Sequence, residues 1–316
     1  MRCMRWCSMP PTRYPNMVTR YGISIIGAGR LGRSLGRSLR ERGWEIHSVV
    51  TRSQTTARRA VRSIGAGHAR VAISSEVFLA PVILIAVPDS AIQAVVRQLA
   101  DLAEQDAREH FILHTSGALD SEVLAPLRQL GASVGSMHPL QSFSGVGVPS
   151  IEGRVFTIEG DARAVRVSRS LVRSLGGQVL LLDSVAKPLY HAAASMAAGQ
   201  ILAVMEAAIQ LFASIGMKRR EALRALLPLT RQVLENQERL GPRAAWTGPL
   251  ARGDFRVIAA HEKALLARPE EYLAAYRALN RLAARVLARD PESMLAALEE
   301  ILQESAPAPK AKGVSA

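Results

Sequence analysis

Short apolar runs separated by segments of mixed character make up the first half of the chain. Runs at residues 22–26, 45–50, 82–87, 111–114 and 133–137 predict strands, and the segment 30–42 has a helical pattern. The run at 82–87 contains no polar residue, which is typical of a central parallel strand buried on both faces. Strands that alternate with helices predict an α/β fold, a doubly wound parallel sheet over residues 20–150.

The pattern changes in the second half. Runs at 154–158 and 178–182 flank a helical segment at 162–175, and predict a last pair of strands that bridges residues 151–183. From 184 to 304 the pattern is entirely helical, which predicts an all-α domain. The stretch 192–216 is nearly apolar but contains Gln200, Glu206 and Gln210, and therefore predicts a buried helix rather than a membrane span. Residues 305–316 predict a flexible tail.

The N-terminal segment 1–19 has no periodic pattern. We expect an extension that is disordered or untranslated, because Met17 is a second candidate for the first residue. Both cysteines, Cys3 and Cys7, lie in this segment, so the body has neither a disulfide framework nor a thiolate metal site. The segment lacks the apolar core of a signal peptide, and the predicted location is the cytoplasm.

The net charge of +13 on 316 residues suggests a nucleic acid or an anionic membrane as a partner. The basic residues are scattered rather than clustered, however, and aromatic residues make up only 4% of the chain. Part of the charge lies at the ends, on three arginines before residue 17 and on Lys310 and Lys312. We therefore expect neither nucleic acid nor membrane as a partner.

A glycine-rich segment with the pattern G-x-G-x-x-G directly follows the first strand and opens the first helix. In this context it is the fingerprint of a Rossmann dinucleotide-binding turn, since its glycines allow a tight turn, close approach of a pyrophosphate and close packing of helix on strand. The alternative is a glycine turn without a ligand. The residues predicted to bind the cofactor here are Gly27, Gly29, Arg30, Leu31 and Gly32.

The residues after the second strand predict which dinucleotide binds. A site for NAD would have a carboxylate there, but the chain has Thr51, Arg52 and Ser53. A guanidinium suits a 2′-phosphate through paired hydrogen bonds, so we expect NADP. The alternative is that Arg52 is an ordinary surface arginine.

Two more turns end neighbouring strands, where ligands of open α/β sheets bind. We expect both turns to line the cofactor; a second interpretation, compatible with the first, is that Asp89 or Ser90 caps a helix over 91–99. The residues concerned are Val87, Pro88 and Asp89 after one strand, and Thr115 and Ser116 after the next.

Three residues are candidates for catalysis. Lys187 and His191 are four residues apart at the start of a helix and so share one face, and Lys187 is the leading candidate for a proton donor. His138 follows the last strand of the first domain and is the alternative. Lys187 could equally be a surface lysine and His138 a structural histidine.

Substrate-binding candidates lie in a Gly-Pro turn between helices. Thr247, the Gly248 backbone and Arg252 could hold a carboxylate or phosphate, whereas the alternative is a turn in which Asp254 caps the next helix. No metal site is predicted, because the segment between His110 and His114 has the pattern of a strand, which separates the two rings.

The motifs G-A-G-R-L-G, V-P-D-S-A-I, H-T-S-G-A-L, M-H-P-L-Q-S-F, K-P-L-Y-H-A-A-A and T-G-P-L-A-R-G-D follow in this order between residues 27 and 254. Together they resemble a bacterial family of Rossmann-like oxidoreductases whose C-terminal half is the domain of unknown function 2520. More distantly the chain is similar to deazaflavin-dependent NADP oxidoreductases, pyrroline-5-carboxylate reductase, prephenate dehydrogenase and the β-hydroxyacid dehydrogenases. The resemblance implies an NADP-binding domain and a helical domain like the C-terminal domain of 6-phosphogluconate dehydrogenase, which often dimerises.

The chain departs from these relatives at one catalytic position. Lys187 matches the catalytic lysine of the β-hydroxyacid dehydrogenases, but His191 stands where they have asparagine, so their substrates do not transfer. We expect an NADP-dependent oxidoreductase that moves a hydride to or from a carbonyl or imine carbon of a small anionic molecule, and that forms a homodimer. The alternative is a non-catalytic NADP-binding redox sensor or partner protein on the same fold.

Overall fold

The computed structural model describes residues 4–6, 22–103, 107–144 and 147–304. Contacts divide the chain into two units, Met1–Gly199 and Gln200–Ala316. The predicted start of the helical domain at residue 184 is therefore too early, because the first turns of that helical segment pack with the sheet. The predicted tail at 305–316 lies outside the described residues.

The first unit is built on one sheet. Its central part has the order β4-β3-β2-β5-β6-β7, and all neighbours in it are parallel, which confirms the predicted doubly wound sheet. The strands in the described residues are β1 Met4–Trp6, β2 Gly22–Ile26, β3 Glu45–Val50, β4 His68–Arg70, β5 Val82–Ile85, β6 Phe111–His114, β7 Ser133–Pro139, β8 Val155–Gly160 and β9 Gln178–Leu182. The helices of this unit are α1 Arg30–Glu41, α2 Gln54–Ile64, α3 Asp89–Leu102, α4 Ala125–Gln129, α5 Ala162–Ser174 and α6 Lys187–Ser195.

The strands predicted to bridge two domains extend the same sheet instead. β8 runs antiparallel to β7, β9 runs parallel to β8, and α5 connects them. β1 pairs with β9 in antiparallel orientation, so the expected disorder of the N-terminal extension does not hold for Met4–Trp6. The rest of segment 1–19 lies outside the described residues.

Alternation along the buried strands produces a core on each side of the sheet. Ile23 and Ile25 of β2 pack in one cluster with Leu35 of α1, whereas Ile26 packs in the other with Ile92 of α3. Successive side chains of a strand point to opposite faces, and both faces here are covered by helices. The carboxyl ends of β2, β5 and β6 lie along one edge of the sheet, which is where ligands of open α/β sheets bind.

The second unit is helical. Leu250, Ile258 and Leu298 form its small buried cluster, against which Trp246 and Phe255 pack. The buried carboxylate of Glu262 accepts hydrogen bonds from Arg277. Its helices are α7 Ile201–Ser214, α8 Arg219–Leu240, α9 Pro242–Ala245, α10 Phe255–Leu265, α11 Glu270–Leu287 and α12 Pro291–Glu304, and a π-helical turn at Met196–Gln200 precedes α7.

The helical stretch Ser184–Ser214 is apolar and exposed. Its most apolar window has a mean hydropathy of 1.5, enough by length and composition to cross a membrane, and only 6% of that window is buried. The predicted buried helix is therefore wrong within this chain. Periodicity and composition reveal that a helix is apolar, but not what covers it.

Candidate functional site

The turn between β2 and α1 fits a pyrophosphate. Gly27 has φ 91°, and a Cβ atom there would lie 2.5 Å from the Ala86 carbonyl oxygen. A Cβ atom at Gly32 would lie 2.2 Å from the Gly27 carbonyl oxygen, so helix and turn touch backbone to backbone. At Gly29 a Cβ atom would have no described neighbour within 4 Å, which leaves open space beside the helix. Gly27 thus allows the tight turn, Gly29 leaves space for the pyrophosphate, and Gly32 allows close packing of helix on strand, as the fingerprint requires.

The N-terminus of α1 is free to bind an anion. Gly29 occupies the N-cap position, no side chain caps the helix, and the first turn has no acidic residue. The first N–H groups of a helix have no partner within it and carry a partial positive charge. Arg30 is exposed there, whereas Leu31 packs against the core and anchors the turn.

The segment after β3 lies directly beside this turn, because the Gly27 N–H donates to the Val50 carbonyl oxygen at 2.9 Å. The Ser53 hydroxyl caps α2 by accepting from the Thr56 N–H at 3.3 Å, and the Thr51 hydroxyl donates to the Ser53 carbonyl. Arg52 is exposed, and no hydrogen bond or ion pair holds it among the residues that the structure describes. Its guanidinium is available to a ligand at this edge.

The turns after β5 and β6 complete the edge. The Ala86 N–H donates to the Ile26 carbonyl oxygen at 2.7 Å, and the Thr115 N–H to the Ile85 carbonyl oxygen at 3.1 Å. α3 begins at Asp89 with Pro88 as its N-cap and no side-chain capping bond, so the predicted cap by Asp89 or Ser90 is wrong. Val87 is half-buried beside this cap. Thr115 and Ser116 are both buried, and the Ser116 hydroxyl accepts from the N–H groups of residues 118 and 119.

Two histidines meet at the turn after β6. A Cβ atom at Gly117 would lie 2.9 Å from His138 Nε2 and 2.7 Å from His191 Cδ2, so only a glycine fits between the rings. Their ring centroids are 6.1 Å apart. The Nδ1 atom of His138 is hydrogen-bonded to the Tyr190 hydroxyl at 2.9 Å, which fixes the ring with Nε2 towards Gly117.

Lys187 shares the face of α6 with His191, as predicted, but it is buried, with 1% of its side chain exposed. Its ammonium donates to the Ser116 carbonyl oxygen at 2.9 Å and to the Ser136 hydroxyl. Glu159 Oε1 lies 3.6 Å from the ammonium. The lysine therefore points into the protein beneath the Ser116–Gly117 turn.

Burial and charge both lower the basicity of this cluster. Burial lowers the pKa of Lys187, and the nearby Glu159 carboxylate opposes that shift. Burial, and then the positive charges of Lys187 and His191, lower the pKa of His138 to about 4. Burial raises the pKa of the Tyr190 hydroxyl. At neutral pH His138 and Tyr190 are thus an uncharged, hydrogen-bonded pair.

Two family models match the chain in succession. A Rossmann-like domain matches residues 8–139, and the domain of unknown function DUF2520 matches residues 154–283. The chain is a Rossmann-like protein with a DUF2520 domain. The Rossmann-like match includes the glycine turn and His138, whereas the DUF2520 match begins within the sheet at β8 and includes Glu159, Lys187 and His191.

Solved structures share this architecture. A candidate NADP oxidoreductase from Bacteroides fragilis is 23% identical, with a TM-score of 0.67 over 84% of this chain and 98% of that one. A reductive aminase from Aspergillus terreus, solved with NADPH and ethyl levulinate, is 16% identical, with a TM-score of 0.60 over 87% and 98%. A prephenate dehydrogenase from A. aeolicus, solved with hydroxyphenyl propionate and NAD+, is 17% identical, with a TM-score of 0.50 over 81% and 94%. At these identities the likeness concerns the fold. No curated protein has a sequence that matches the chain.

The predicted substrate-binding residues belong to the helical unit of the DUF2520 protein. Gly248 has φ 106° and Arg252 is exposed at the end of a short 3₁₀ turn, Leu250–Arg252. Thr247 is exposed just before the turn. Asp254 occupies the N-cap position of α10, as the alternative interpretation proposed, but its side chain makes no capping bond. A cavity of about 820 Å³ lies beside this turn between Trp246, Phe255 and Met294.

Sequence reasoning missed three contributors to the site: Glu159, Ser136 and Tyr190. Glu159 lies one residue beyond the predicted strand 154–158, and alternation places it on the face opposite Phe156 and Ile158, so the sequence carried no signal for it. Ser136 and Tyr190 carried none either. Among the residues that the structure describes, no group of His, Cys, Asp or Glu could hold a metal ion.

Proposed function

We propose that the protein is an NADP-dependent oxidoreductase that acts on a carbonyl or imine carbon of a small, anionic molecule. The observation that carries the proposal is the glycine turn, where Gly27 and Gly32 are in backbone contact and Gly29 faces open space at the carboxyl edge of the sheet. When bound, the nicotinamide supplies or accepts the hydride. The names of the fold relatives from Bacteroides fragilis and Aspergillus terreus support the same chemistry.

The preference for NADP rests on Arg52, which is exposed beside the glycine turn with no carboxylate next to it. We expect Arg52→Ala to weaken NADPH binding roughly tenfold to a hundredfold and to leave NADH binding unchanged, because a charge-assisted pair with the 2′-phosphate is lost. Fluorescence titration with both cofactors measures this. Arg97→Ala on α3 is the control, since Arg97 is exposed outside the edge. Equal affinity of the unchanged protein for NADPH and NADH would refute the preference.

Proton transfer is better assigned to His138 than to Lys187. Lys187 is 1% exposed and its ammonium is engaged by Ser116, Ser136 and Glu159, so it reaches no substrate in this arrangement. His138 is held by Tyr190 with one ring nitrogen directed at the Gly117 turn, beside His191. A neutral imidazole that accepts from Tyr190 at Nδ1 carries its proton on Nε2, and one that donates there can accept a proton at Nε2. We propose that Thr247, the Gly248 backbone and Arg252 bind the anionic group of the substrate.

The reaction is tested by following NADPH absorbance with keto acids, imines and, in reverse with NADP, hydroxy acids and amines. Turnover with one of these classes supports the proposal and identifies the substrate. Tight NADPH binding without turnover in any class would favour the non-catalytic redox sensor. The redox-sensor alternative is retained because Lys187, the leading catalytic candidate, is buried and its ammonium is bound by groups of the protein itself.

We also propose that a second copy of the chain covers the apolar stretch Ser184–Ser214. A membrane span is disfavoured, because Glu206 within this stretch is paired with Arg219 at 2.8 Å and Gln210 accepts a hydrogen bond from Tyr272. These polar contacts tie the helix to neighbouring helices of its own unit. The exposed apolar side chains of α7 include Ile201, 42% exposed, and Leu202, 69% exposed, and such side chains are typical of a homodimer surface.

A further inference from the structure

Glu159 is a buried carboxylate at the centre of a polar network that the proposed chemistry does not use. It lies on β8 opposite Ser136 of β7 and is 4% exposed. Its Oε2 atom accepts hydrogen bonds from the Ser121 hydroxyl at 2.7 Å and the Ser184 hydroxyl at 3.0 Å. Its Oε1 atom has no hydrogen-bond partner among the described residues and lies 3.6 Å from the Lys187 ammonium.

Lys187 connects Glu159 to the candidate site. Its ammonium donates to the Ser116 carbonyl oxygen, and the next residue, Gly117, separates the rings of His138 and His191. The Ser136 hydroxyl also points at the Ser116 carbonyl oxygen, at 3.4 Å. A buried ammonium keeps its proton only near a compensating charge, and among the described residues Glu159 is the carboxylate that forms an ion pair with it.

We propose that Glu159 is a positioning residue of this site: it holds the Lys187 ammonium beneath the Ser116–Gly117 turn and thereby sets the place of that turn against His138 and His191. The inference rests on the proposed function, because the same turn is proposed to line NADP. Without the carboxylate, the lysine either loses its proton or leaves its buried position. In both cases the Ser116 carbonyl loses its charged donor and the turn shifts.

The test compares Glu159→Gln with Glu262→Gln. Glu262 is the matched control, since it is also a buried glutamate, 2% exposed and paired with Arg277, but it lies in the helical unit. We expect Glu159→Gln to weaken NADPH binding roughly tenfold and to move the ring NMR resonances of His138 and His191, since small displacements in a site have large effects. Glu262→Gln is expected to lower stability alone, with NADPH affinity and both rings unchanged.

The outcomes separate this inference from the proposed function. Unmoved resonances and unchanged NADPH affinity in folded Glu159→Gln overturn the positioning role, while wild-type NADPH binding upholds the cofactor proposal. If the ring resonances move in Glu159→Gln but the wild-type protein binds no NADPH, the positioning role is upheld and the cofactor proposal is refuted. If Glu159→Gln does not fold, the double variant Glu159→Gln with Lys187→Met leaves no unpaired buried charge. That variant is expected to show the same displaced rings, and unmoved rings in it overturn the inference.

Discussion

Gly29 and Gly32 lie in one turn but exclude larger residues for different reasons. A Cβ atom at Gly32 would meet the Gly27 carbonyl oxygen at 2.2 Å, whereas a Cβ atom at Gly29 would meet none of the described atoms within 4 Å. Gly29 has φ −63°, which any residue can adopt. Gly32 is therefore required for packing within the fold, whereas Gly29 leaves space for the ligand.

We expect Gly32→Ala to lower the free energy of unfolding by about 3 kcal/mol, because backbone has to move to admit the methyl group. Gly29→Ala should change the free energy of unfolding by less than about 1 kcal/mol and yet lose most of the NADPH affinity. Urea denaturation and NADPH titration of both variants measure these effects. A Gly29→Ala protein with full NADPH affinity would contradict the placement of the pyrophosphate.

His138 is expected to titrate well below an ordinary histidine. Burial, and then the charges of Lys187 and His191, lower its pKa to about 4, so the ring is neutral at all pH values above that. We expect its ring NMR signals to titrate near pH 4. Lys187→Met should raise the pKa of His138, because one of the positive charges that lower it is removed and Glu159 is left uncompensated.

Chain positions alone could not predict how the catalytic candidates are arranged. The i, i+4 spacing correctly placed Lys187 and His191 on one face of a helix. Whether Lys187 faces solvent or the protein interior depends on Glu159 of β8 and Ser136 of β7, which contact its ammonium. Local spacing carries no information on such contacts, so a lysine expected at a crevice is in fact an internal cation.

At the scale of elements, one long-range hydrogen bond joins α5 to the residue that precedes β3. The indole N–H of Trp44 donates to the Ser174 hydroxyl at 2.8 Å. Trp44 is buried, so its N–H has no water to replace this partner. Ser168, on the same helix, is also buried, but its hydroxyl has no hydrogen-bond partner in the described part of the chain.

We expect Ser174→Ala to lower the free energy of unfolding by about 1–2 kcal/mol, because it leaves a buried donor unpaired. Ser168→Ala is the matched control on the same helix and should be neutral or slightly stabilising, since it removes a buried hydroxyl without a partner. Urea denaturation of the two variants decides the matter. Equal losses in both would mean that the Trp44–Ser174 hydrogen bond adds nothing measurable to stability.

Four of the predicted strands have the bounds that the structure shows, whereas β5 ends two residues earlier than predicted, at Ile85, and β7 and β8 end two residues later. The structure has β2, β3, β6 and β9 at the predicted positions. The polar helix α2 was missed, because only Ala57, Ala60 and Ile64 in it are buried. The antiparallel entry of β8 was missed too, since an apolar run predicts a strand but not the direction of its neighbour.

At the scale of the whole molecule, the proposed dimer places the exposed apolar stretch at its interface. We expect the protein to be a dimer by light scattering and Leu202→Glu to be monomeric, because a buried charge replaces apolar contact area. Leu79→Glu is the matched control: Leu79 is also 69% exposed, like Leu202, but lies on the sheet unit. A monomeric wild-type protein, or one that requires detergent, would refute the dimer.

Trp44, whose indole is hydrogen-bonded to Ser174, can also serve as a fluorescent reporter of unfolding in the first unit. Trp44 belongs to the first unit and Trp246 to the second, while the third tryptophan, Trp6, lies in β1. With Trp6 and one of the other two replaced by phenylalanine, the emission comes from a single indole in a known unit. Melting curves of the two single-tryptophan proteins would coincide if sheet and helices unfold as one cooperative system, and would separate if each unit unfolds at its own temperature.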